Sequence, residues 1–409
     1  MLFRSTSTGS GSATGYRLSR EHDELRALVR QLAEERIAPR AAEIDAKAEF
    51  PWDLKQLLAE HDLLGTGFDE RHGGTALDGI GQAIVVEEVA RADATTSLIP
   101  VIQKLGALPI MLAGSEEQKD RYFPRPASGD WLPAFALTEA GAGSDVASVR
   151  MRARRDGDDY LLSGTKRFIT HGSVANVLTV FALTDPDAGG QKGMSGFIVE
   201  TDTPGFSVAR VEHKMGIRGS PTAELTFDEV RVPAANRLGE DGDGFKIAMS
   251  TLDRSRLAIA SQAVGIAQGA TDAALAYAAE RRQFGERIVD FQAIQFMLAD
   301  MASQTEAARQ LTYAACARVD DDDPNLAYWT SAAKLIAGDT AMRATTDAVQ
   351  IFGGYGYITE YPVERMMRDA KITQLYEGTQ QIQRLVIARR LLARAGIESR
   401  GGRRGTFRG

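Results

Sequence analysis

Cysteine and histidine are scarce in this 409-residue chain: one Cys316, and five histidines, His22, His61, His72, His171 and His213. A lone cysteine excludes an internal disulfide and a thiolate zinc site. The histidines are scattered and none pairs at metal-ligand spacing, so no metal is expected. The G-x-S-x-G nucleophile turn is missing. No G-x-G-x-x-G follows a strand and opens a helix, which disfavours a nicotinamide enzyme of the Rossmann type. No uninterrupted apolar run approaches the roughly 18 residues that span a bilayer. There is no basic excess either: the net charge is −7, which argues against wholesale nucleic-acid binding.

The composition that remains, 44% hydrophobic and 25% charged, is that of a globular enzyme, and the length suggests two or three domains. Residues 1–20 carry Arg4, Arg17 and Arg20 with Ser and Thr and no acid. That resembles a transit peptide by composition. The segment is Gly-rich without a clear amphipathic face, so a disordered tail is expected instead. Residues 396–409 form a second Arg/Gly-rich stretch expected to be flexible. Arginine strongly outnumbers lysine, which fits a GC-rich bacterial genome and a cytoplasmic protein better than a mitochondrial one.

The apolar period changes twice. Over 21–132, residues such as Leu25, Leu28, Val29, Leu32 and Ile37 recur at three- and four-residue spacing, which predicts packed helices. Over 133–244 the runs are short and β-branched or aromatic, as in Val177–Leu183, with turns rich in Gly, Asp and Pro between them. This predicts a middle β-domain, a small barrel or sandwich. Over 245–395 long Ala-rich helical blocks return, including 257–281 and 291–319, as in a helical bundle.

Four places could carry chemistry. Ala136 to Asp145 puts small residues and hydroxyls after a strand, where backbone N–H groups could approach a phosphate or a flat ring; a tight surface turn is the competing reading. Gln350 to Tyr357 ends a helix on a run of glycines, of which C-capping explains one. Arg281 ends another helix, where the helix dipole favours it as much as a phosphate would. Glu377 is a lone acid in an uncharged run between Lys371 and Arg384. A carboxylate kept dry there would have a raised pKa and serve as a base; a surface glutamate before a turn is the alternative.

Together these residues resemble the acyl-CoA dehydrogenase family over about residues 20–395. The motifs that carry the resemblance occur in order: Leu137 to Asp145 (LTEAGAGSD), Phe168 to Thr170 (FIT), Gln262 to Gln268 (QAVGIAQ), Arg281 to Gly285 (RRQFG), Gln350 to Gly354 (QIFGG), Tyr361 to Arg365 (YPVER), Met367 to Ile372 (MRDAKI) and Tyr376 to Thr379 (YEGT). The resemblance implies an α+β fold: an N-terminal helical domain, a middle β-barrel or sandwich domain and a C-terminal four-helix bundle. It implies FAD, a homotetramer, and an electron-transfer flavoprotein as partner. By position, Thr138 would bond the flavin's pyrimidine end, Thr170 would lie near N5, and Phe168 would pack on the ring. Phe135, Leu137, Gly143, Ile169 and Phe284 would complete the cofactor set. Ser144 would meet the pyrophosphate or the substrate's pantetheine. Arg281, Gln292, Gln350, Gly353 and Gly354 would hold a neighbouring subunit's FAD. Thr379 and Gln381 would grip the ADP part of the cofactor. Asp253 and Arg256 would lie along the thioester of acyl-CoA, with Tyr376 and Gly378 beside it, and Glu377 would take the α-proton.

Two positions depart from the family pattern: Phe168, often Trp, and His171, often Asn. Neither removes a catalytic group, and His171 is expected to be a packing or solvated residue. The intact YEGT motif and Arg256 argue against a flavin monooxygenase of the same fold and against a non-catalytic scaffold; a dehydrogenase of carrier-protein thioesters stays open. The segment Ser97 to Lys104 aligns with the helix that floors the acyl pocket. Two of Leu98, Val101 and Ile102 are expected to point inward, opposite Ile259 and Tyr376. Branched side chains there predict short to medium straight acyl chains, and the family resemblance implies roughly four to eight carbons.

Overall fold

A computed structural model describes residues 18–397. The expected tails, 1–20 and 396–409, lie outside the described residues except at their inner edges, where Ser19 caps the first helix through a reciprocal bond with His22. The helices and strands follow in this order: α1 (Arg20–Leu32), α2 (Ala41–Lys47), α3 (Trp52–Glu60), α4 (Gly79–Ala92), α5 (Ala94–Ala113), α6 (Glu116–Tyr122) and α7 (Pro124–Ser128); β1 (Pro133–Ala136), β2 (Arg152–Asp156), β3 (Asp159–Thr170), β4 (Val177–Leu183), a short α8 (Gly190–Gly193), β5 (Met194–Glu200), β6 (Phe206–Val211), β7 (Thr222–Pro233) and β8 (Arg237–Leu238); then α9 (Gly244–Glu280), a hairpin of β9 (Arg282–Gln283) and β10 (Glu286–Arg287), α10 (Gln292–Asp320), α11 (Leu326–Phe352), α12 (Val363–Ile372) and α13 (Gln380–Arg394).

The β-region is one eight-stranded mixed sheet in the order β6-β7-β3-β2-β4-β5-β8, with β1 added in parallel to β4. Strand β4 is buried along its whole length, which explains its unbroken apolar run.

Helix α5 has the length and hydropathy of a membrane span, yet 78% of its apolar window is buried inside the protein. It packs against α4, α9 and β1, so its apolar surround is the core. The long helices α9 and α11 pack through alanines at three- and four-residue spacing: Ala260, Ala263, Ala267, Ala270, Ala274 and Ala278 on α9, and Ala333, Ala337, Ala341, Ala344 and Ala348 on α11. The contact of α4 with α9 is closer still. A Cβ on Gly265 would lie 2.2 Å from the Glu87 carbonyl oxygen, and one on Gly269 would lie 2.3 Å from that of Arg91. Glycine is required at both positions to let the backbones meet. Beside this crossing, buried Glu87 accepts from Arg309 at 2.7 Å and from the Tyr313 hydroxyl at 2.7 Å, while Glu88 takes both arms of Arg30 at 2.9 Å. Glu87 and Glu88 are the buried members, and their arginine partners offset part of the cost of burying them.

Candidate active site

The turn between α12 and α13 holds Glu377 in the left-handed region at φ 52°, followed by Gly378 at φ 87°. A side-chain-bearing residue there is strained, and surrounding contacts must hold it. Gln383 donates to the carbonyls of Glu377 at 3.2 Å and Gly378 at 2.9 Å. Buried Lys334 of α11 donates to the Gly378 carbonyl at 2.7 Å and to Gln380 at 3.2 Å. Thr379 caps α13 by accepting from the Ile382 N–H, so it has a structural role of its own. The hydrogen bonds of the turn run from the Tyr376 N–H to Ile372 and from the Gln380 N–H to Gln374, leaving the Glu377 N–H out.

The Glu377 carboxylate accepts from the Ser255 hydroxyl at 2.6 Å. Both line one cavity of about 90 Å³, several times the ~10–15 Å³ that a single water requires. The cavity walls come from α4, α5, α9 and α10 and are largely apolar. Burial pushes the Glu377 pKa up, and the Ser255 bond and the charges of Arg256 and Lys334 only partly counter it. Arg256 is itself buried, donating to Asp253 at 2.6 Å and to Ser331 at 3.2 Å. Its Nε has no partner among the described residues. The hydroxyl of Tyr376 bonds to Gln262 of α9.

The cavity corrects the expected pocket floor. Pro100, Val101, Lys104, Leu105 and Leu108 of α5 face it. At 100° per residue these fall on one stripe, and Leu98 and Ile102 fall outside it, in the core. Ile259 and Tyr376 are likewise not in its wall, so of the expected floor only Val101 lines the cavity.

A second group lies on the β-sheet. The Arg167 N–H donates to the Thr138 carbonyl at 2.8 Å, which sets the 137–145 segment beside the end of β3. Buried Lys166 joins the two, donating to the Leu137 carbonyl at 2.9 Å and to Glu139 at 2.8 Å. Glu139 in turn accepts the N–H groups of Arg150 and Met151. This leaves Thr138 and Thr170 partly exposed, Gly143 and Ser144 exposed, and Phe168 56% exposed at φ 58°. Leu137 and Ile169 are buried, and Phe135 packs on Phe181 at 5.3 Å. A Cβ on Gly141 or Gly143 would meet nothing within 4 Å. His171 is buried edge-on to Phe50 at 5.1 Å, and its Nε2 has no partner among the described residues. Burial pushes its pKa down to about 3, so the ring is neutral.

A third group is exposed. Arg281, at the C-cap of α9, lies over the Tyr355 ring at 5.1 Å and shares an open basin with Gly353 and Gly354. Gln350, Gln292 and Gln381 are exposed, and Phe284 is 95% exposed. Gln350, Phe284 and Gln292 do not line the basin. Among the described residues no three His, Cys, Asp or Glu side chains group as for a metal ion.

Ser255, Lys166, Lys334 and Gln383 escaped the sequence reading. Each is a single polar residue whose partner lies far away in the chain or across a turn, and no local pattern marks it.

Three family profiles match the chain in succession: the acyl-CoA dehydrogenase N-terminal domain over 19–130, the middle domain over 134–230 and the C-terminal domain over 242–392. A probable acyl-CoA dehydrogenase, fadE25, of Mycobacterium bovis is 51% identical over 384 residues, covering 94% of this chain and 98% of that one. A cyclohexane-1-carbonyl-CoA dehydrogenase of Geobacter metallireducens is 48% identical over 90% of this chain and 96% of its own. The solved butyryl-CoA dehydrogenase from Megasphaera elsdenii superposes with a TM-score of 0.89 at 43% identity, covering 92% of this chain and 99% of that one. The order of domains, the matched profiles and the shared architecture agree: the chain belongs to the acyl-CoA dehydrogenase family.

Proposed function

We propose that this protein is an FAD-dependent dehydrogenase that converts acyl-CoA thioesters to trans-2-enoyl-CoA, with Glu377 as the base that takes the α-proton. The observation that carries this reading is a carboxylate with a raised pKa facing an apolar cavity, fixed by a 2.6 Å bond from Ser255.

A thioester α-proton is a poor acid, so its removal needs both a base and a place for enolate charge. The Glu377 N–H, unused by its own turn, is a donor for the thioester oxygen. A backbone donor beside the base couples the two requirements on one residue. A dry cavity strengthens both interactions and keeps the carboxylate basic. Gln383 and Lys334 hold the strained turn, so the base is preset before substrate enters.

The residues fit a dinucleotide flavin. The open space at Gly141 and Gly143 beside Thr138, Phe168 and Thr170 suits a flat ring and its chain. The positions suited to phosphate and adenine, Ser144, Arg281, Gly353, Gly354, Thr379 and Gln381, are spread over distant elements, which favours FAD over FMN. When bound, FAD supplies the acceptor for the β-hydride. The exposed Arg281 basin suits a neighbouring subunit's cofactor, in keeping with a homotetramer, and an electron-transfer flavoprotein is the proposed acceptor of the electrons. The proposed location is the bacterial cytoplasm.

Denaturing purified protein is expected to release FAD. Anaerobic titration with straight acyl-CoAs of roughly four to eight carbons is expected to bleach the flavin. Release of FMN, or flavin that no acyl-CoA bleaches, contradicts the reading.

A further inference from the structure

The wall of the Glu377 cavity holds a lysine to which the dehydrogenation gives no part. Lys104 sits on the stripe of α5 that faces the cavity. Its stem lies over Gly67, where a Cβ would come within 3.0 Å of the lysine Cδ. Its Nζ donates to Gln82 Oε1 of α4, and the Gln82 amide is fixed by donating to the Leu77 carbonyl at 2.6 Å. Asp320, at the end of α10, lines the same cavity and accepts the Gly79 N–H at 2.9 Å. Gln82, Lys104, Asp320 and Gly79 therefore make a polar patch in a slot whose exposed wall is mostly apolar.

This patch is separate from the base. Arg256 and Lys334 are the charges that act on Glu377, whereas at Lys104 burial pushes the pKa down, Asp320 counters it and Arg254 adds to it. Slot-facing residues of α5 run from Pro100 to Leu108, roughly 12 Å of helix at ~1.5 Å per residue. A tail entering past Glu377 has that length of wall to follow.

A bare methyl tail does not account for this patch. Burying an amine against a methyl group costs free energy, and a leucine or methionine would fill the space better. Gln82 takes one of the three Nζ donors among the described residues, leaving others for a ligand. Two basic side chains, Lys104 and Arg254, line this wall with Asp320, whose carboxylate beside the lysine would repel a tail carboxylate brought to it, so the patch is read as suiting a neutral oxygen.

We propose that Lys104 is a specificity-determining residue, and that the preferred acyl tail carries a hydroxyl or carbonyl oxygen that accepts a hydrogen bond from it. This rests on the reading of the Glu377 cavity as the acyl slot, and it adds a polar group to the short or medium tail that reading assumes.

The test compares kcat/KM for acyl-CoAs of roughly four to eight carbons ending in methyl, hydroxyl or carboxylate, with the FAD-loaded wild type and the Lys104→Met and Lys104→Arg variants. At the best length the hydroxyl tail is expected to exceed the methyl tail by about tenfold or more, the scale of a hydrogen bond to a charged group. Lys104→Met is expected to remove that preference and favour the methyl tail, while Lys104→Arg retains part of it. FAD content and Tm establish that each variant is folded. If Lys104→Met does not fold, the wild-type series alone decides. A wild-type preference for methyl or carboxylate tails at every length, or an unchanged preference in folded Lys104→Met, overturns the inference and leaves the dehydrogenase reading standing. Bleaching by none of the acyl-CoAs overturns both.

Discussion

Helix α9 carries one group of candidate residues near its start and another at its end, and the two groups are built differently. Ser255 and Arg256 are buried; they meet Glu377, Asp253 and Ser331 of the same chain, around a slot closed by four helices. Arg281, roughly 37 Å further along the axis at ~1.5 Å per residue, faces an open basin with Gly353 and Gly354. Nearby Phe284 and Tyr357 are 95% and 86% exposed. The early end has its hydrogen-bond partners within one chain. The late end has glycines with open space above them and large apolar groups in solvent. A proton-transfer site needs dryness and fixed geometry, and one chain supplies both. The late end, proposed to be shared between subunits, would have to stay open until the subunits meet.

The two ends are expected to fail in different ways. Glu377→Gln keeps shape and FAD and removes the base, so flavin reduction by acyl-CoA is expected to slow by about 10²–10⁴-fold or more; rapid-mixing spectroscopy reads this directly, and a wild-type rate would assign the base elsewhere. Arg281→Glu is expected to leave the slot intact and cost flavin occupancy, about tenfold or more, with a shift to smaller assemblies in sedimentation. Retained flavin in an intact assembly would reduce Arg281 to a helix-end residue stacked on Tyr355.

Ser255→Ala sharpens the early end. The hydroxyl bonds to the charged form of Glu377, so its loss pushes an already raised pKa further up. The base acts ionised. The acid limb of the kcat/KM profile is therefore expected to move to higher pH, with a loss of several-fold at neutral pH and convergence towards wild type in alkali. An unshifted limb would detach Ser255 from the base. The smallest expected effect on chemistry comes from the middle of the helix. Gly265→Ala drives a Cβ into the Glu87 carbonyl, so a loss of about 1–3 kcal/mol in stability is expected by chemical denaturation, with little change in the pH profile.

The comparison also shows what sequence makes legible. The order helical, β, helical followed from the period of apolar residues, and the block seen from 257 to 281 is the Ala-rich part of α9. The helix starts earlier, at Gly244; its first turns pack Ile247 and Ala248 into a separate core cluster, and the polar run 253–256 interrupts the apolar stripe before the Ala-rich block. Glu377 stood out because its neighbours are uncharged. Ser255 did not, being one serine in a helix whose meaning depends on a residue far along the chain. Lys104 was hidden for the same reason: an apolar helix with one lysine looks like a core helix with one exposed position, and only the packing of α4 and α10 turns that position inward. The rotation of α5 was equally out of reach, since Leu98, Val101 and Ile102 are all apolar and only the neighbouring helices decide which of them faces the slot.

The most direct test of the account is complementation between the two ends. Glu377→Gln and Arg281→Glu are each expected to be nearly inactive alone. If a working site takes Glu377 from one subunit and Arg281 from another, co-expressing the two variants in equal amounts restores intact sites in about one of four. The account predicts close to a quarter of wild-type acyl-CoA dehydrogenation in the mixed assembly; activity no greater than that of the two variants measured apart would contradict it.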